Sequence, residues 1–323
     1  MKNSYRILGT SLLTLGLVGC FEVPDQNHLV TAQGIVPGLD CQRPPLVALA
    51  TTALPREFGV TVWNLYKGQR KNWREGMDSY AKGQDLVLLQ ESATRPEMLD
   101  WLRAGDFQWQ QLQAFTQGGV SFGVMTVAKT PQAFVCGVRS PEPLLRIPKS
   151  GLVSLYPLQG DPDGVLVINL HAVNFELGMA TFREQLNDLT ALVRRHQGPV
   201  ILAGDFNTWS DKRQFWLSKL VEELGLQEAV PVPDLRRTAF GRPLDHLYYR
   251  NLDLVEVSSP ATDSSDHNCP IKKSGANGAG FFCAVASDRG ITADRGPDAL
   301  WRRLQNRCSH RCAARPGRSG ALC

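Results

Sequence analysis

Apolar positions alternate between two periods from about residue 58 to residue 271. Short runs at 59–63, 86–90, 122–128, 151–156, 165–170, 200–203, 246–249 and 252–257 are bounded by glycine, proline or polar residues, as strands are. Helical spacing falls between them. Trp73, Met77 and Tyr80 share one face of a helix over 73–81 that Gly83 stops. Pro96 opens a helix over 96–104, with Gly105 after its end. Met179, Phe182, Leu186, Leu189 and Val193 repeat at spacings of three and four, which predicts a helix over 179–193. A fourth helix is expected over 214–224, stopped by Gly225. Residues 21–57 hold Pro24, Pro37, Pro44, Pro45 and Pro55 with no sustained period, and read as a tether. After Ile271 no apolar period extends beyond one turn, so 273–323 reads as an unstructured extension.

Polar residues stand at the strand ends with unusual regularity. Asn64 follows 59–63, Glu91 follows 86–90, His171 follows 165–170, and Asp205 and Asn207 follow 200–203. Asp245 opens the next strand, and Ser265-Asp266-His267 precedes the last apolar pair. The stretch Gly198–Asn207 is the clearest case. Residues two apart in a strand point to one side, so a carboxylate and an amide leave a buried strand aimed at one spot. Such a pair can fix a phosphate oxygen and orient or deprotonate a water.

Charge and cysteines refine this picture. The 323-residue chain is 43% hydrophobic with a formal net charge of +4. The positive excess sits in residues 1–20 and 273–323, leaving a mildly acidic body that offers no basic stripe for nucleic acid. Lys2 and Arg6 precede the apolar run 7–18, as in a secretory signal. Leu17-Val18-Gly19-Cys20 resembles the bacterial lipobox, which implies export, lipidation of Cys20, a membrane anchor facing the periplasm and, by default, the outer membrane. Cys41 and Cys136 can pair in an oxidising compartment, although sequence does not establish it. Cys308-Ser309-His310-Arg311-Cys312 lacks the second ligand pair that a zinc site needs.

Trp-Asn-Leu at 63–65, Leu-Gln-Glu at 89–91, Asn-Leu-His at 169–171, Gly-Asp-Phe-Asn at 204–207, Leu-Asp-His at 244–246 and Ser-Asp-His at 265–267 occur in this order. Together they resemble the endonuclease/exonuclease/phosphatase superfamily. Residues 62–67, 171–175 and 240–245 resemble its bacterial YafD-like branch more closely. The resemblance spans about 58–271 and implies an α/β fold, a four-layer α/β/β/α sandwich of two packed mixed sheets. It divides the chain into a signal at 1–20, a tether at 21–57, a domain at 58–272 and a tail at 273–323.

The same resemblance implies a divalent-metal-dependent phosphoesterase. Glu91 and Asp266 would ligate Mg²⁺ or Mn²⁺, since both are hard oxygen donors. Asn64 and Asn174 would bind phosphate, and Asp205 and Asn207 would position water and phosphate. His267, paired with Asp245, would act as general base or transition-state stabiliser. His171 would contact the phosphate or help protonate the leaving group. The expected partner is a phosphate ester, small or of lipid head-group type, with nucleic acid left open; no protein partner is inferred. One departure is that the family's last apolar strand looks truncated after Pro270-Ile271.

Two rival readings exist. Gly119-Val120-Ser121-Phe122-Gly123 matches a nucleophile elbow, but that motif needs a strand before the serine and a helix after it. The other rival is a lipid-anchored phospho-ligand binding protein that kept the fold without the chemistry. The cluster Lys67, Arg70, Lys71 and Arg74 reads equally as a phosphate approach or a solvated loop.

Overall fold

The computed structural model describes residues 21–38, 41, 52–143 and 147–268, together with the strand Phe282–Ala286. The expected lipidation site Cys20 and the run 308–312 lie outside the described residues. The described residues belong to one compact unit.

Two sheets dominate. The larger runs Leu252–Leu254, Phe282–Ala286, Glu57–Asn64, Leu86–Ala93, Val120–Ala128, Gln108–Gln117, His28–Thr31, Gly34–Pro37, with Phe21–Glu22 also on Gln108–Gln117. The smaller runs Gln227–Glu228, Asp245–Arg250, Val200–Asp205, Asp161–His171, Pro148–Leu158, Phe134–Pro141. Both are mixed: Glu57–Asn64 pairs in parallel with Leu86–Ala93, and Asp161–His171 with Val200–Asp205.

Side-chain parity explains why these strands read as continuous apolar runs. Val60, Val62, Leu86 and Leu88 from one sheet meet Val165, Val167, Ile201 and Ala203 from the other in a shared core. Their neighbours face outward under helices. Trp63, Val87 and Leu89 pack with Met77 of helix Trp73–Tyr80 and Met98, Trp101 and Leu102 of helix Pro96–Ala104. Leu166, Ile168, Val200 and Leu202 pack with Phe182, Leu186 and Leu189 of helix Ala180–Thr190 and Leu217 and Leu220 of helix Asp211–Glu223. Strands buried on both faces lose the apolar–polar alternation. The expected four-layer sandwich is therefore the fold.

One polar tie crosses the apolar interior. Gln90 Nε2 donates to Asn169 Oδ1 at 2.7 Å, and Asn169 Nδ2 donates to the Met125 carbonyl at 2.9 Å. Both side chains are fully buried. Strand Leu86–Ala93 is thus fixed against strand Asp161–His171, one residue from Glu91 and two from His171.

Two expectations need correction, and one strand was not expected. Residues 21–57 are more than a tether, because His28–Thr31 and Gly34–Pro37 form a hairpin whose first strand extends the large sheet. Its partner, Gln108–Gln117, escapes a hydrophobicity pattern because buried Gln110, Gln111 and Gln113 occupy its core positions. The tail, finally, is not wholly unstructured. Phe282–Ala286 pairs with Glu57–Asn64 on one side and Leu252–Leu254 on the other, so the last strand is present, only later in the chain. Five apolar residues without helical period match a short strand.

Candidate active site

Strand register alone gathers most of the site. His171, Asp205 and Asp245 are direct partners on three adjacent strands, so they form one row at an edge of the smaller sheet. Asn64 ends Glu57–Asn64 at the facing edge of the larger sheet. The two edges meet where Asn64 Nδ2 donates to Asp205 Oδ2 at 3.1 Å.

That carboxylate oxygen is the centre of the arrangement. His171 Nε2 lies 3.5 Å from it and His267 Nε2 3.9 Å. His267 Nδ1 is bound to Asp245 Oδ2 at 2.8 Å, as the resemblance implied. The loop bearing Asp266 and His267 is pinned beneath: Ser265 Oγ donates to the Asn64 carbonyl at 2.7 Å, and Trp63 Nε1 to the His267 carbonyl at 3.4 Å. Gly76 lets this loop come close, since a Cβ there would lie 2.5 Å from the Trp63 ring and 2.8 Å from Ser264 Cβ.

Two site residues have left-handed backbone. Glu91 and Asn207 adopt positive φ, at 48° and 50°, which is uncommon for non-glycine residues and more so for Glu than for Asn. Glu91 does not end its strand, as expected, but lies within it where the register shifts between Leu89 and Ser92. Gly204 has φ 141°, and a Cβ there would lie 1.9 Å from the Leu170 carbonyl oxygen, so only glycine can precede Asp205.

The expected Asp205–Asn207 pairing differs in detail. The strand stops at Asp205, and the left-handed turn at Asn207 ends strand parity. Asn207 Nδ2 donates to the Ala172 carbonyl at 2.9 Å, and its backbone N–H to Asp205 Oδ1 at 3.0 Å. Asn207 therefore orients the Asp205 carboxylate. Asn174 Oδ1 accepts from Trp209 Nε1 at 2.8 Å, and Asn174 borders the same cleft as His171.

The electrostatics divide the histidines. Burial lowers His171 well below its ordinary value, and the charges of Lys149, His267 and Lys67 add to this, so it is neutral at pH 7. Burial opposes charge on His267 too, but Asp245, with Asp205 and Asp266 nearby, pushes it up to about 10. Burial raises Asp205 against the pull of His267.

Among the described residues, Asp205, Asp245 and His267 offer ligand atoms within 4.8 Å of one another. The His267–Asp245 hydrogen bond uses Nδ1 and leaves Nε2 toward Asp205. The expected ligands Glu91 and Asp266 are outside that trio. Glu91 faces His171 Nε2 at 4.0 Å and is held by the ammonium of Lys67, so a positive charge already stands at this carboxylate. Asp266 Oδ1 lies 3.4 Å from Ser265 Oγ, beside His267. Oxygen donors of this kind fit a hard divalent cation.

Sequence reasoning passed over two residues. Lys149 Nζ lies 2.8 Å from His171 Nε2, from a strand that begins at Pro148 and not at 151. Arg213 is buried between the rings of Phe182 and Trp209 and donates to the carbonyls of Val173, Asn174 and Asn207, tying together the loops after His171 and Asp205. A polar residue opening a strand was the available signal for Lys149. For Arg213 there was none, because a charged residue in a helix's first turn ordinarily faces water. Of the basic cluster only Lys67 reaches the cleft; Arg74 bonds the Glu97 carbonyl, and Arg70 lies over Tyr66. Ser121 lies inside strand Val120–Ala128, its hydroxyl donating to Gln111 Oε1 at 2.6 Å, so it is no nucleophile elbow.

Comparison with known proteins agrees with this geometry. Residues 61–267 match the model of the Endonuclease/Exonuclease/phosphatase family. A UPF0294 protein of Vibrio vulnificus strain YJ016 is 39% identical over 253 residues, covering 77% of this chain and 87% of that one. A UPF0294 protein of Photorhabdus laumondii is 42% identical over 212 residues, covering 66% and 81%. Among solved structures, an endonuclease/exonuclease/phosphatase from Beutenbergia cavernae superposes with a TM-score of 0.53 at 19% identity, covering 76% of each chain. ANGEL2, a 2′,3′-cyclic phosphatase, superposes with a TM-score of 0.52 at 15% identity, covering 71% of this chain and 96% of its own. At such identities the structural likeness concerns the fold alone.

Proposed function

The chain belongs to the endonuclease/exonuclease/phosphatase family, and from that premise we propose that it is a divalent-metal-dependent phosphoesterase, hydrolysing a phosphodiester by in-line attack of water. Members of this family are usually hydrolases of phosphoesters and generally use divalent metals. The observation that carries the reading is the convergence of Asn64, His171 and His267 on the single oxygen Asp205 Oδ2.

In this reading Asp205, held by Asn64 and the Asn207 N–H, orients the attacking water and accepts its proton. His267, kept charged by Asp245, donates to a phosphoryl oxygen as negative charge builds there. The Lys149 ammonium, which also donates to neutral His171, binds a second phosphoryl oxygen. Glu91 and Asp266 are the residues that would hold the cation, which when bound neutralises phosphate charge and assists departure of the leaving oxygen. We also propose export and anchoring through lipidated Cys20, on the strength of the apolar run 7–18 and the lipobox-like residues after it.

The test is turnover of bis-p-nitrophenyl phosphate by protein lacking residues 1–20. Activity should vanish with a chelator and return with Mg²⁺ or Mn²⁺. Tight phosphate binding without turnover would instead support the binding-protein reading, and a chelator-resistant rate would exclude metal dependence.

A further inference from the structure

A cavity of about 290 Å³ opens beside His171, between the two sheets, and its lining combines two kinds of residue. Its polar side holds Lys67, Lys149 and His171 together with the carboxylates of Glu91, which pairs with Lys67, and Glu142, while Phe115, Phe122 and Phe175 supply rings. We propose that this cavity is a specificity slot for a planar ring carried by an ester group of the substrate. The proposal rests on the phosphoesterase reading and narrows its substrate class.

The rings are arranged for that task. Phe115 and Phe122 face each other across strands Gln108–Gln117 and Val120–Ala128, stacked with centroids 4.9 Å apart and planes 12° apart. A cross-strand aromatic pair stabilises a hairpin wherever it occurs. Here the register shifts between Gln113 and Phe115, and such a bulge re-aims the side chain that follows it. The shifted residue is one that borders the cavity. Phe175 reaches the cavity from the other sheet, on the loop after His171, and is 50% exposed.

An exposed ring of this kind contributes little to the core, yet its loop is firmly held. Buried Glu142 accepts the N–H groups of both Asn174 and Phe175 through Oε1, at 2.7 and 3.0 Å. Trp209 and Arg213 fix Asn174 as well. Fixing an aromatic in advance lowers the ordering cost of binding. A ring entering this cavity gains contacts with its phenyl groups, and its attached phosphate meets Lys149, whose ammonium lies 2.8 Å from His171.

Binding of phosphonates, which are not hydrolysed, separates this slot from catalysis. Calorimetry on the full chain with phenylphosphonate and methylphosphonate should give at least about a ten-fold preference for the phenyl compound. Phe175→Leu keeps an apolar side chain at an exposed site and should shrink that preference several-fold; Phe115→Leu should do the same. Thymidine 5′-phosphorothioate distinguishes the ring's source: tighter binding than phenylphosphonate assigns a nucleobase, and parity assigns a simple aryl group. Equal affinity of wild type for the phenyl and methyl compounds would overturn the slot, as would an undiminished preference in Phe175→Leu. A phenyl preference in a protein that turns over no phosphodiester would uphold the slot and refute the hydrolase.

Discussion

Each polar residue at this site is held by another. Asp205 is oriented by Asn64 and Asn207, and His267 by Asp245 and Trp63. Such groups fail together, because one transition state uses them all. Asp205→Asn and His267→Ala should each lower kcat by ~10²–10⁴-fold, and the double variant by far less than the product. Added Mg²⁺ should rescue neither, whereas it should partly restore Glu91→Gln, where the loss is in metal affinity. Wild-type rates in His267→Ala would refute the assignment. A second cluster answers to acid. Burial pushes Glu228 up, but hydrogen bonds from His246 and Arg236 outweigh it and hold its carboxyl below the ordinary 4.5. A lowered folded-state value means the stabilisation is full above 4.5 and is lost as pH falls below it. Urea midpoints between pH 6 and 3 should therefore drop, and Glu228→Gln, less stable at pH 6, should drop less steeply. Parallel curves would remove Glu228 from the acid response.

At the scale of elements, the chain disclosed what periodicity can carry. The doubly buried strands and the helix Pro96–Ala104, bounded by proline and glycine, were legible, and the polar residues at strand ends marked the site's edge. Long-range pairing was not legible. Nothing local says that Phe282–Ala286 inserts between Leu252–Leu254 and Glu57–Asn64, or that glutamines fill Gln108–Gln117. The site was likewise readable as a set of residues but not as contacts: Lys149, Arg213 and the left-handed turn at Asn207 depend on neighbours far along the chain. The inserted strand has a direct consequence. Without it, Glu57–Asn64, which carries Asn64, keeps only Leu86–Ala93 as a neighbour and becomes an edge strand. Deleting 276–323 should lower the melting temperature and reduce turnover. A truncated protein with unchanged melting and activity would show that the sheet does not need this strand.

At the scale of the whole molecule, the N-terminal segment is joined to the smaller sheet by a covalent bond. Cys41 and Cys136 form a disulfide with their Cα atoms 5.1 Å apart, a pairing that sequence left open. Both residues are buried in the core beneath Ala180–Thr190. A disulfide supports the proposed export, since thiols stay reduced in the bacterial cytosol. If Cys20 is the anchor, Cys20→Ala should abolish lipid labelling and release the protein from the membrane fraction; labelling that persists would refute it. The bridge closes a loop across a sequence separation of 95 residues, and loops of that size restrict the unfolded chain strongly. Replacing both cysteines by alanine should cost about 2–4 kcal/mol, read as a lower urea midpoint. Dithiothreitol should lower the wild-type midpoint toward that of the variant and leave the variant itself unmoved. A wild-type midpoint indifferent to reductant would mean that the bridge adds nothing to the fold's stability. Because the site residues lie on strands held by the two sheets and not by this bond, turnover at 25 °C should survive its loss, and inactivation should appear only on heating.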